Sequence, residues 1–583
     1  REASIILNEV VKPNRSFING FIEVNGKKAD VIIANPYGIT ANGAGFINTS
    51  RATLTTGTPT IDAVGNLSGF RVNQGDIRIE GKGINASNQD YLDLVSRSFY
   101  VDGRINAKNL HITAGPNEWG YSNRIATPIT TSSGKPGYAI DSSALGGMYA
   151  NKIKVVATEA GVGVRMRGDM AASAEQLFLS SKGTLALKSK ISAAKKVELV
   201  HNGTVAGGKI SIEGAAASVT AGEDLVINSS KGVEISEATL KAQGNLTISG
   251  ETLADSGSST NTRAADGDVS ITTSGKTELN GTKWVAADDI TATTGEFKVG
   301  ANSAELYSGT DAAKSGKSIT ISASTGNIDL AKGKLESAKD VELTATVGSI
   351  ITSSDAAQKV AATNDIRLNA KTAITSSGNV LAGNDMTIRS TNSAGNMTLT
   401  NSGRMQAGAD LDMAGYNAND DLVIVNTGSG VLAANSTLSI NADSLTNASG
   451  ASIQGTKGGT VNVTNTLDNN GTFILAANAG FSGTLNVGTL DNSGTLKGKD
   501  DLYLNISQAN SLVNSGNLYA ADRLRVRYST SYGTLALTNS GTLEAGGVLD
   551  LAGYNGGTSL SITNQGYGKL LGNSYAISAY NLT

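Results

Sequence analysis

Apolar and polar residues alternate in short runs along most of the chain. The runs DLVINSS, NLTISGE and DVSITTS each alternate over several positions, which is typical of a strand with one buried face. Most successive runs lie 20 to 25 residues apart, and no helical periodicity interrupts them. Many runs open on a carboxylate, at Asp224, Asp268, Asp289, Asp340, Asp365, Asp385 and Asp410.

A second series marks the C-terminal part of the chain. Asn-x-Gly turns and close variants start at steps of about 23 residues, within the range of solenoid repeats. We expect Asn and Gly to supply left-handed backbone conformations at the corners between strands. LDMAGYN at 411–417 also returns as LDLAGYN at 549–555. The asparagines of the series are Asn401, Asn426, Asn447, Asn469, Asn492, Asn514, Asn539 and Asn564.

Together the two series predict an all-β fold, a right-handed parallel β-helix in which each repeat forms one coil. Coils stacked at the strand spacing of ~4.8 Å would form an elongated rod on the order of 100 Å long. A leucine-rich horseshoe would need Leu at fixed offsets and a helical segment in every repeat, and neither is visible. A propeller would need four strands per blade, and the drift in repeat length disfavours it.

Proline divides the chain into two parts. The sequence has 583 residues with 70 Gly, 39% hydrophobic residues and only six Pro, none of which lies beyond Pro136. An uninterrupted stack of strands excludes proline because it removes a ladder donor. The early strands are also longer, and residues 115–137 interrupt the regular coils. We therefore predict a specialised domain over residues 1–170 and plain β-helix repeats over residues 171–583.

Net charge, hydropathy and cysteine content limit which partners and compartments the sequence suggests. The net charge is −3 with both signs interspersed, so no basic stripe indicates a nucleic-acid partner. No apolar run reaches about 18 residues, so no transmembrane segment is predicted. Cysteine is absent. This fits either a cytosolic chain that lacks thiols or a long exported chain that must stay unfolded in an oxidising compartment.

Candidate catalytic chemistry is sparse. The two histidines, His111 and His201, are expected to be exposed or at the rim of the solenoid, and without cysteine they offer too few ligands for an ordinary zinc site. The carboxylates at the strand starts are expected to cap turns, although a cluster of them on one face would suit a polysaccharide-active enzyme. We therefore predict no catalytic residue, no metal and no cofactor.

Three short motifs are interpreted as chance matches. RGD at 167–169 lies between strands, whereas an integrin ligand needs a protruding loop. GAG at 43–45 lacks the third glycine of a nucleotide-binding fingerprint, and no G-K-[ST] follows it. Asn-x-Ser/Thr sequons are expected in a chain this rich in Asn, Ser and Thr. They include Asn66, Asn85, Asn202 and Asn245.

Several long sequence segments in the first 200 residues resemble a known protein family in the same order. They include REASIILNEVV, GFIEVNGKKADVIIANPYGIT, NGAGFINTSRATLTTGTP and YAIDSSALGGMYANKIKVVATEAGVGVRMRG. These words closely resemble the secretion domain of filamentous haemagglutinin-type exoproteins of two-partner secretion systems, a group that includes the CdiA-type contact-dependent inhibition proteins. The family's N-P-N-G-I and N-G-x-G-F-I-N motifs fall on Asn35, Pro36, Gly38, Ile39, Asn42, Gly43, Gly45, Phe46, Ile47 and Asn48.

The chain departs from the family pattern at three points. Tyr37 replaces the middle Asn of the first motif. Many relatives carry a Cys pair flanking the Asn-Gly, where this chain has Ala41 and Ala44, so this turn is expected to hold by backbone geometry and packing. The family's first mature residues are absent before Arg1, and we expect the natural start to lie upstream. Residues 31–34 are expected to form a buried strand, with NPYGIT and NGAGF as successive turns.

The resemblance implies a secreted protein of the bacterial cell surface. It implies that the periplasmic domains of an outer-membrane β-barrel transporter, of the TpsB type, recognise the motif residues and thread the chain outwards. The rod would then be the stalk of a contact-dependent inhibition protein, with a toxin beyond residue 583 and a receptor on the target cell. A filamentous adhesin without a toxin is the alternative, and a β-helix polysaccharide-active enzyme is a second alternative.

Overall fold

The computed structural model describes residues 3–309, 317–352, 354, 359–509 and 511–583. The chain divides into two compact units, Arg1–Ala287 and Asp288–Thr583. In both units strands of successive coils pair in parallel, so the predicted all-β parallel β-helix is confirmed. The described residues contain no α-helix, and their helical elements are two short 3₁₀ turns, Tyr416–Ala418 and Tyr554–Gly556.

In unit 1 each coil contributes one strand to each of three parallel faces. The first face contains Ile5–Glu9, Ala29–Ala34, Thr49–Thr55, Tyr91–Ser96, Asn109–Ala114, Lys152–Ala157, Leu177–Ser181, Val197–His201, Leu225–Ser229, Leu246–Gly250 and Val269–Thr273. The second contains Ser16–Ile18, Ile39–Ala41, Asp76–Ile79, Ser98–Val101, Tyr138–Ser142, Gly163–Met166, Leu185–Leu187, Lys209–Glu213, Gly232–Ser236, Thr252–Ser256 and Lys276–Asn280. The third contains Phe21–Glu23, Ala44–Ile47, Ile84–Ala86, Ile105–Ala107, Met148–Ala150, Met170–Ala172, Lys190–Ala193, Ser218–Ala221, Thr239–Ala242, Thr262–Ala265 and Lys283–Ala286.

Unit 1 also carries a four-stranded antiparallel sheet, here called the cover sheet. Its strands are Thr58–Ile61, Leu67–Val72, Asn117–Gly120 and Ala126–Pro128. They come from two insertions that leave the coils after the first face, so the interruption predicted at residues 115–137 supplies half of this sheet. Phe70, Val72 and Trp119 of the cover sheet pack against Ile32 and Val95 on the outer side of the first face. This packing explains why the early strands bury both of their sides.

Unit 2 repeats the three-faced arrangement. Its first face contains Ile290–Thr294, Ile319–Ala323, Val341–Ala345, Ile366–Ala370, Met386–Ser390, Leu411–Ala414, Leu438–Ala442, Leu502–Ile506 and Leu524–Tyr528. Its second contains Glu296–Val299, Ile328–Asp329, Ile350–Ile351, Ala373–Ser376, Met397–Asn401, Leu422–Asn426, Ser444–Asn447, Leu512–Asn514, Leu535–Asn539, Leu560–Asn564 and Asn581–Leu582. Its third contains Ala304–Ser308, Gly333–Ser337, Lys359–Ala362, Asn379–Ala382, Arg404–Ala407, Val431–Ala434, Ser452–Gly455, Thr472–Leu475, Thr495–Gly498 and Asn517–Ala520. Longer strands that run from one face into the next are Gly459–Asn469, Gly483–Asn492, Thr542–Ala552 and Lys569–Ser578.

The core of each unit consists of inward-facing aliphatic side chains at every second strand position. Leu225 and Ile227 lie in register with Leu246 and Ile248 of the next coil, and all four side chains are fully buried. Burying one such side chain contributes about 1.5–3 kcal/mol. Because a single coil has no closed core, this stabilisation appears only when coils stack.

The asparagine series lies inside unit 2, contrary to the expectation that these residues form left-handed corners. The positive backbone φ angles of non-glycine residues in unit 2 do not include any member of this series. Each asparagine ends a strand of the second face, and Asn426 donates from Nδ2 to Asn447 Oδ1 at 3.0 Å. The glycines of the series fall into two groups. Gly428, Gly450 and Gly566 have φ angles of 57°, 85° and 62°, so the expected left-handed corners are confirmed there. Others serve close approach, since a Cβ on Gly403 would lie 2.1 Å from the Gly378 carbonyl oxygen.

The carboxylates at the strand starts also connect coils. Asp365 Oδ1 accepts from the amide of Asp385 at 3.2 Å, and Asp385 Oδ1 accepts from the amide of Asp410 at 3.1 Å. Asp410 Oδ1 accepts from the Thr437 amide at 2.8 Å, and this bond lowers the pKa of the Asp410 carboxyl. At these positions the carboxylate therefore bonds to the next coil, whereas the sequence predicted that it would cap a turn.

Candidate functional site

The predicted secretion motif occupies one coil of unit 1. Residues 31–34 are buried within Ala29–Ala34, as predicted. NPYG then forms a turn, but Ile39–Ala41 is a strand, and Ala44–Ile47 pairs with both Phe21–Glu23 and Ile84–Ala86. The expectation that all of NPYGIT and NGAGF would be turns is therefore wrong. These residues are drawn into strands because their backbone groups complete the ladders of the second and third faces.

Asn35 joins the motif coil to the coil before it. Its side chain is fully buried, and its Nδ2 donates to the Asn14 carbonyl and to Ser16 Oγ, both at 2.8 Å. Its Oδ1 accepts from the Tyr37 amide at 2.9 Å. The side chain therefore fixes the NPYG turn and the preceding coil together, and these hydrogen bonds offset the cost of burying its amide.

Asn48 and Asn42 make further connections between coils. Asn48 has a φ of 53°, and its Nδ2 donates to the carbonyls of Val24 at 2.8 Å and Gly26 at 2.7 Å. Asn42 is exposed, and its Oδ1 accepts from the Lys82 amide at 2.9 Å in the following coil. The three motif asparagines thus tie the motif coil to its neighbours on both sides.

Two motif glycines lie beneath large side chains. Gly38 has a φ of 108°, and a Cβ placed there would lie 2.6 Å from the Arg15 guanidinium. That guanidinium donates to the Ile39 carbonyl at 3.1 Å and pairs with Asp76 at 2.6 Å. A Cβ on Gly45 would lie 2.4 Å from the Phe21 ring. Gly38 requires glycine because of its left-handed φ, whereas a Cβ on Gly45 would require the exposed Phe21 ring to move.

The remaining motif residues divide between core and surface. Ile39 and Phe46 are buried, Pro36 and Gly43 are half-buried, and Gly43 has a φ of 81°. Ala41 and Ala44 are buried too, so close packing holds the Asn42–Gly43 corner, as expected without a disulfide. The apolar surface of the motif comes from Tyr37 and Ile47, which are 41% and 43% exposed. A role of the motif in transporter recognition stays a prediction.

A charged cluster beneath the cover sheet was not predicted. Asp93 is fully buried, and its carboxylate accepts from Arg51 Nε at 2.5 Å, with His111 Nδ1 and Arg124 Nε each 3.3 Å away. Burial raises the pKa of Asp93, but the combined effect of His111, Arg51 and Arg124 is larger and opposite. The pKa of Asp93 therefore lies below its usual value. The alternating pattern places Arg51 and Asp93 on the outer side of their strands, and only the cover sheet encloses them.

Two aromatic side chains close this cluster, Tyr121 next to the cover-sheet strand Asn117–Gly120 and Tyr91 on the first face. The Arg51 guanidinium lies 3.9 Å from the centre of the Tyr121 ring, and the Arg124 guanidinium lies 3.7 Å from that of Tyr91. Tyr121 donates to Asp30 at 2.8 Å. Burial together with this bond raises the pKa of Tyr121. These contacts fasten the cover sheet to the first face.

The part of the chain that contains the secretion motif and the Asp93 cluster matches a known protein family. A family model described as the TPS secretion domain matches residues 1–187. Residues 1–187 form a TPS secretion domain. The motif asparagines, the cover sheet and the Asp93 cluster all lie within it. The match to this domain and the similarity to CdiA proteins indicate a secreted cell-surface protein that is exported through the outer membrane. The predicted domain boundary near residue 170 stays a prediction.

Curated relatives of the TPS secretion domain are CdiA proteins. The chain is 40% identical over 296 residues to the 16S rRNA endonuclease CdiA of Enterobacter cloacae subsp. cloacae, covering 50% of this chain and 8% of the relative. It is 45% identical over 192 residues to the tRNA nuclease CdiA-2 of Burkholderia pseudomallei, covering 33% of this chain and 6% of the relative. The matches thus span less than a tenth of these relatives.

A solved structure is also similar to this chain. The crystal structure of filamentous hemagglutinin secretion domain matches with 31% sequence identity and a TM-score of 0.29, covering 43% of this chain and 72% of that chain. Among the residues that the structure describes, no helix is long and apolar enough to span a lipid bilayer.

The two histidines occupy different environments. His111 is half-buried beside Asp93, in keeping with a rim position. His201 ends the strand Val197–His201 and is only 1% exposed, so the expectation of an exposed or rim histidine is wrong there. Its Nδ1 lies 3.1 Å from Ser229 Oγ. Burial, with a smaller contribution from Lys231, lowers the pKa of His201. The alternating pattern turns this side chain inwards, which sequence reasoning overlooked.

Proposed function

We propose that this chain is the secretion domain and adjoining β-helical stalk of a contact-dependent growth inhibition exoprotein. The observation that carries the proposal is the TPS secretion domain at residues 1–187 together with 40–45% identity to proteins named CdiA. In this role the chain acts through export and display, without catalytic residues, metal or cofactor of its own. In this proposal the stalk displays a receptor-binding region to the target cell and carries the toxin.

The export partner in this proposal is an outer-membrane β-barrel transporter of the TpsB type. Its periplasmic domains read the motif segment while the chain is extended, when the side chains that later become buried are accessible. The proposed recognition residues are Asn35, Pro36, Gly38, Ile39, Asn42, Gly43, Gly45, Phe46 and Asn48. The absence of cysteine supports threading of an unfolded chain, because no disulfide can close a loop in the oxidising periplasm.

Folding outside the cell would make export directional. Each coil buries its core against the preceding coil, so stacking can proceed one coil at a time. The bonds of Asn35, Asn42 and Asn48 tie together neighbouring coils of unit 1. We propose that these residues therefore serve twice, first in recognition of the extended chain and then in nucleation of the β-helix.

An export assay tests the recognition step. Cells that produce the transporter and the full-length protein would carry Asn35→Ala and Asn42→Ala together, and Asn25→Ala, an exposed asparagine outside the motif, would be the matched control. We expect the double variant to stay in the periplasm and the control to reach the medium or cell surface. Normal export of the double variant would contradict the proposed recognition.

A competition assay tests the delivery role. Producer cells are mixed with sister cells that lack immunity, with and without a membrane that prevents contact. We expect killing that requires contact and disappears when this protein is deleted. Attachment to cells without killing would instead identify an adhesin.

A further inference from the structure

One coil of unit 1 contains an ion pair inside its core. It consists of the strands Leu246–Gly250, Thr252–Ser256 and Thr262–Ala265, and we call it the charged coil. Asp255 on its second face and Arg263 on its third face are both fully buried. Arg263 Nε and Nη2 donate to Asp255 Oδ1 at 3.1 and 2.5 Å. Two charges therefore occupy part of the core of this coil.

The coils on either side bury apolar side chains at the same two positions. Asp255 and Arg263 each lie in register with one residue of the preceding coil and one residue of the following coil. All four of these neighbours are at most 1% exposed. They are Ile235 and Leu279 beside Asp255, and Leu240 and Trp284 beside Arg263. The ion pair thus interrupts two columns of apolar side chains.

The partners of the ion pair come from three successive coils. Asp255 Oδ2 accepts from Thr282 Oγ1 at 2.5 Å and from Trp284 Nε1 at 2.9 Å, both in the following coil. Arg263 Nη1 donates to the carbonyl of Ala238 in the preceding coil. Every polar atom of the two charged side chains therefore has a partner, and separating the charged coil from either neighbour breaks part of this network.

The ion pair makes the two junctions of the charged coil weaker than an aliphatic junction. Removing two charges from water costs about as much as their attraction and hydrogen bonds return, so a buried ion pair adds little net stability. Ile212 over Ile235, which joins Lys209–Glu213 to Gly232–Ser236, gains from burial without this cost. Because each coil of a solenoid contacts only its neighbours, the stability of a junction depends on the residues at that junction.

We propose that the charged coil is an opening point built into the β-helix, where the stack separates locally while the coils before it stay closed. Local opening is confined to the cooperative segments of lowest stability, and the charged coil is such a segment. It lies after the TPS secretion domain at residues 1–187, so that domain stays folded when the stack opens. The inference does not depend on the proposed export function.

Native-state hydrogen exchange of the full-length chain tests this inference. The measurement is made at about pH 7.5, above the usual pKa of histidine, so that protonation of His201 does not contribute. After correction for intrinsic rates, we expect Thr252–Ser256 to exchange at least about tenfold faster than Lys209–Glu213. Low concentrations of urea should change the exchange of Thr252–Ser256 less than global unfolding would, because a local opening exposes little surface.

A charge-free variant tests the cause. Asp255→Leu combined with Arg263→Met removes both charges and makes the two columns apolar, and we expect it to slow the exchange of Thr252–Ser256 about tenfold. The matched control is Lys231→Ala combined with Glu251→Ala. Lys231 and Glu251 form an ion pair of 3.2 Å between the preceding coil and the charged coil, but it lies at the surface. Its removal should change exchange by about twofold or less.

Three outcomes would overturn the proposal. The first is equal exchange of Thr252–Ser256 and Lys209–Glu213 in the unmodified chain, and this comparison decides the matter even if the charge-free variant does not fold. The second is faster exchange of Thr252–Ser256 in a charge-free variant that circular dichroism shows to be folded, because the ion pair would then stabilise the coil. The third is an equal effect of the surface control, because the buried position would then be irrelevant.

Discussion

Asn447 Nδ2 donates a hydrogen bond of 2.8 Å to Asn469 Oδ1 in the next coil, inside the core of unit 2. Asn469 in turn donates to Asn492 at 2.7 Å, and both Asn447 and Asn469 also donate to a backbone carbonyl. Both side chains are fully buried. Polar groups are tolerated in this core because each of these interior asparagines bonds to the asparagines on either side of it.

Removing one rung should therefore destabilise its neighbours. Asn469→Ala deprives the Asn447 amide of an acceptor and the Asn492 carbonyl oxygen of a donor, and we expect a local loss of about 1–3 kcal/mol. Native-state hydrogen exchange across residues 459–498 measures it. Asn470→Ala is the control, since Asn470 is exposed and its loss should change stability by less than about 0.5 kcal/mol. Equal effects of the two variants would contradict the ladder's role.

Gly38 should not tolerate a side chain. Gly38→Ala places a Cβ against Arg15 and forces a φ of 108° on alanine, so we expect a loss of about 1–3 kcal/mol. The measurement is hydrogen exchange at Ile39–Ala41. Gly20→Ala provides the comparison, because a Cβ there meets no atom within 4 Å and its φ is not positive. Protection that is the same in both variants would contradict the expected strain at Gly38.

The coils around His201 should weaken in mild acid. The pKa of buried His201 is lowered, whereas in the unfolded chain it is about 6.5. The unfolded state therefore binds more protons, and stability present above about pH 6.5 falls as the pH drops towards the folded pKa. Hydrogen exchange at Val197–His201 and Leu225–Ser229 should accelerate between about pH 7.5 and pH 5.5 beyond the intrinsic pH effect. His201→Gln should abolish this excess, and a persisting excess would assign it to another group.

Asp255 and Arg263 should be coupled. Their side chains are fully buried, and Asp255 accepts from Arg263 at 2.5 Å and from Trp284 Nε1 at 2.9 Å. Asp255→Leu leaves a buried unpaired cation, so we expect a loss of about 3–5 kcal/mol. Asp255→Leu combined with Arg263→Met removes both charges and should cost less than Asp255→Leu alone. A double-mutant cycle in urea measures the coupling, and simple additivity would argue against a functional pair.

The sequence by itself determined the repeat and the fold class. Alternation in runs such as DLVINSS fixes which side of a strand is apolar, and a repeat of 20–25 residues allows three short strands and their turns per coil. The alternation and the repeat length both depend only on residues that are close in sequence, so they can be recognised without knowledge of tertiary contacts. The absence of proline after Pro136 likewise follows from ladder hydrogen bonding alone.

Only the tertiary structure decided where polar residues lie. Asn469 and Asn42 both belong to Asn-Gly motifs, yet Asn469 is buried and Asn42 is exposed, because one ends a strand with its side chain inwards and the other occupies a corner. Asp93 follows an outward alternation but is buried by the cover sheet, which two distant insertions build. Burial and pairing depend on residues far apart in sequence, and no local pattern encodes those contacts.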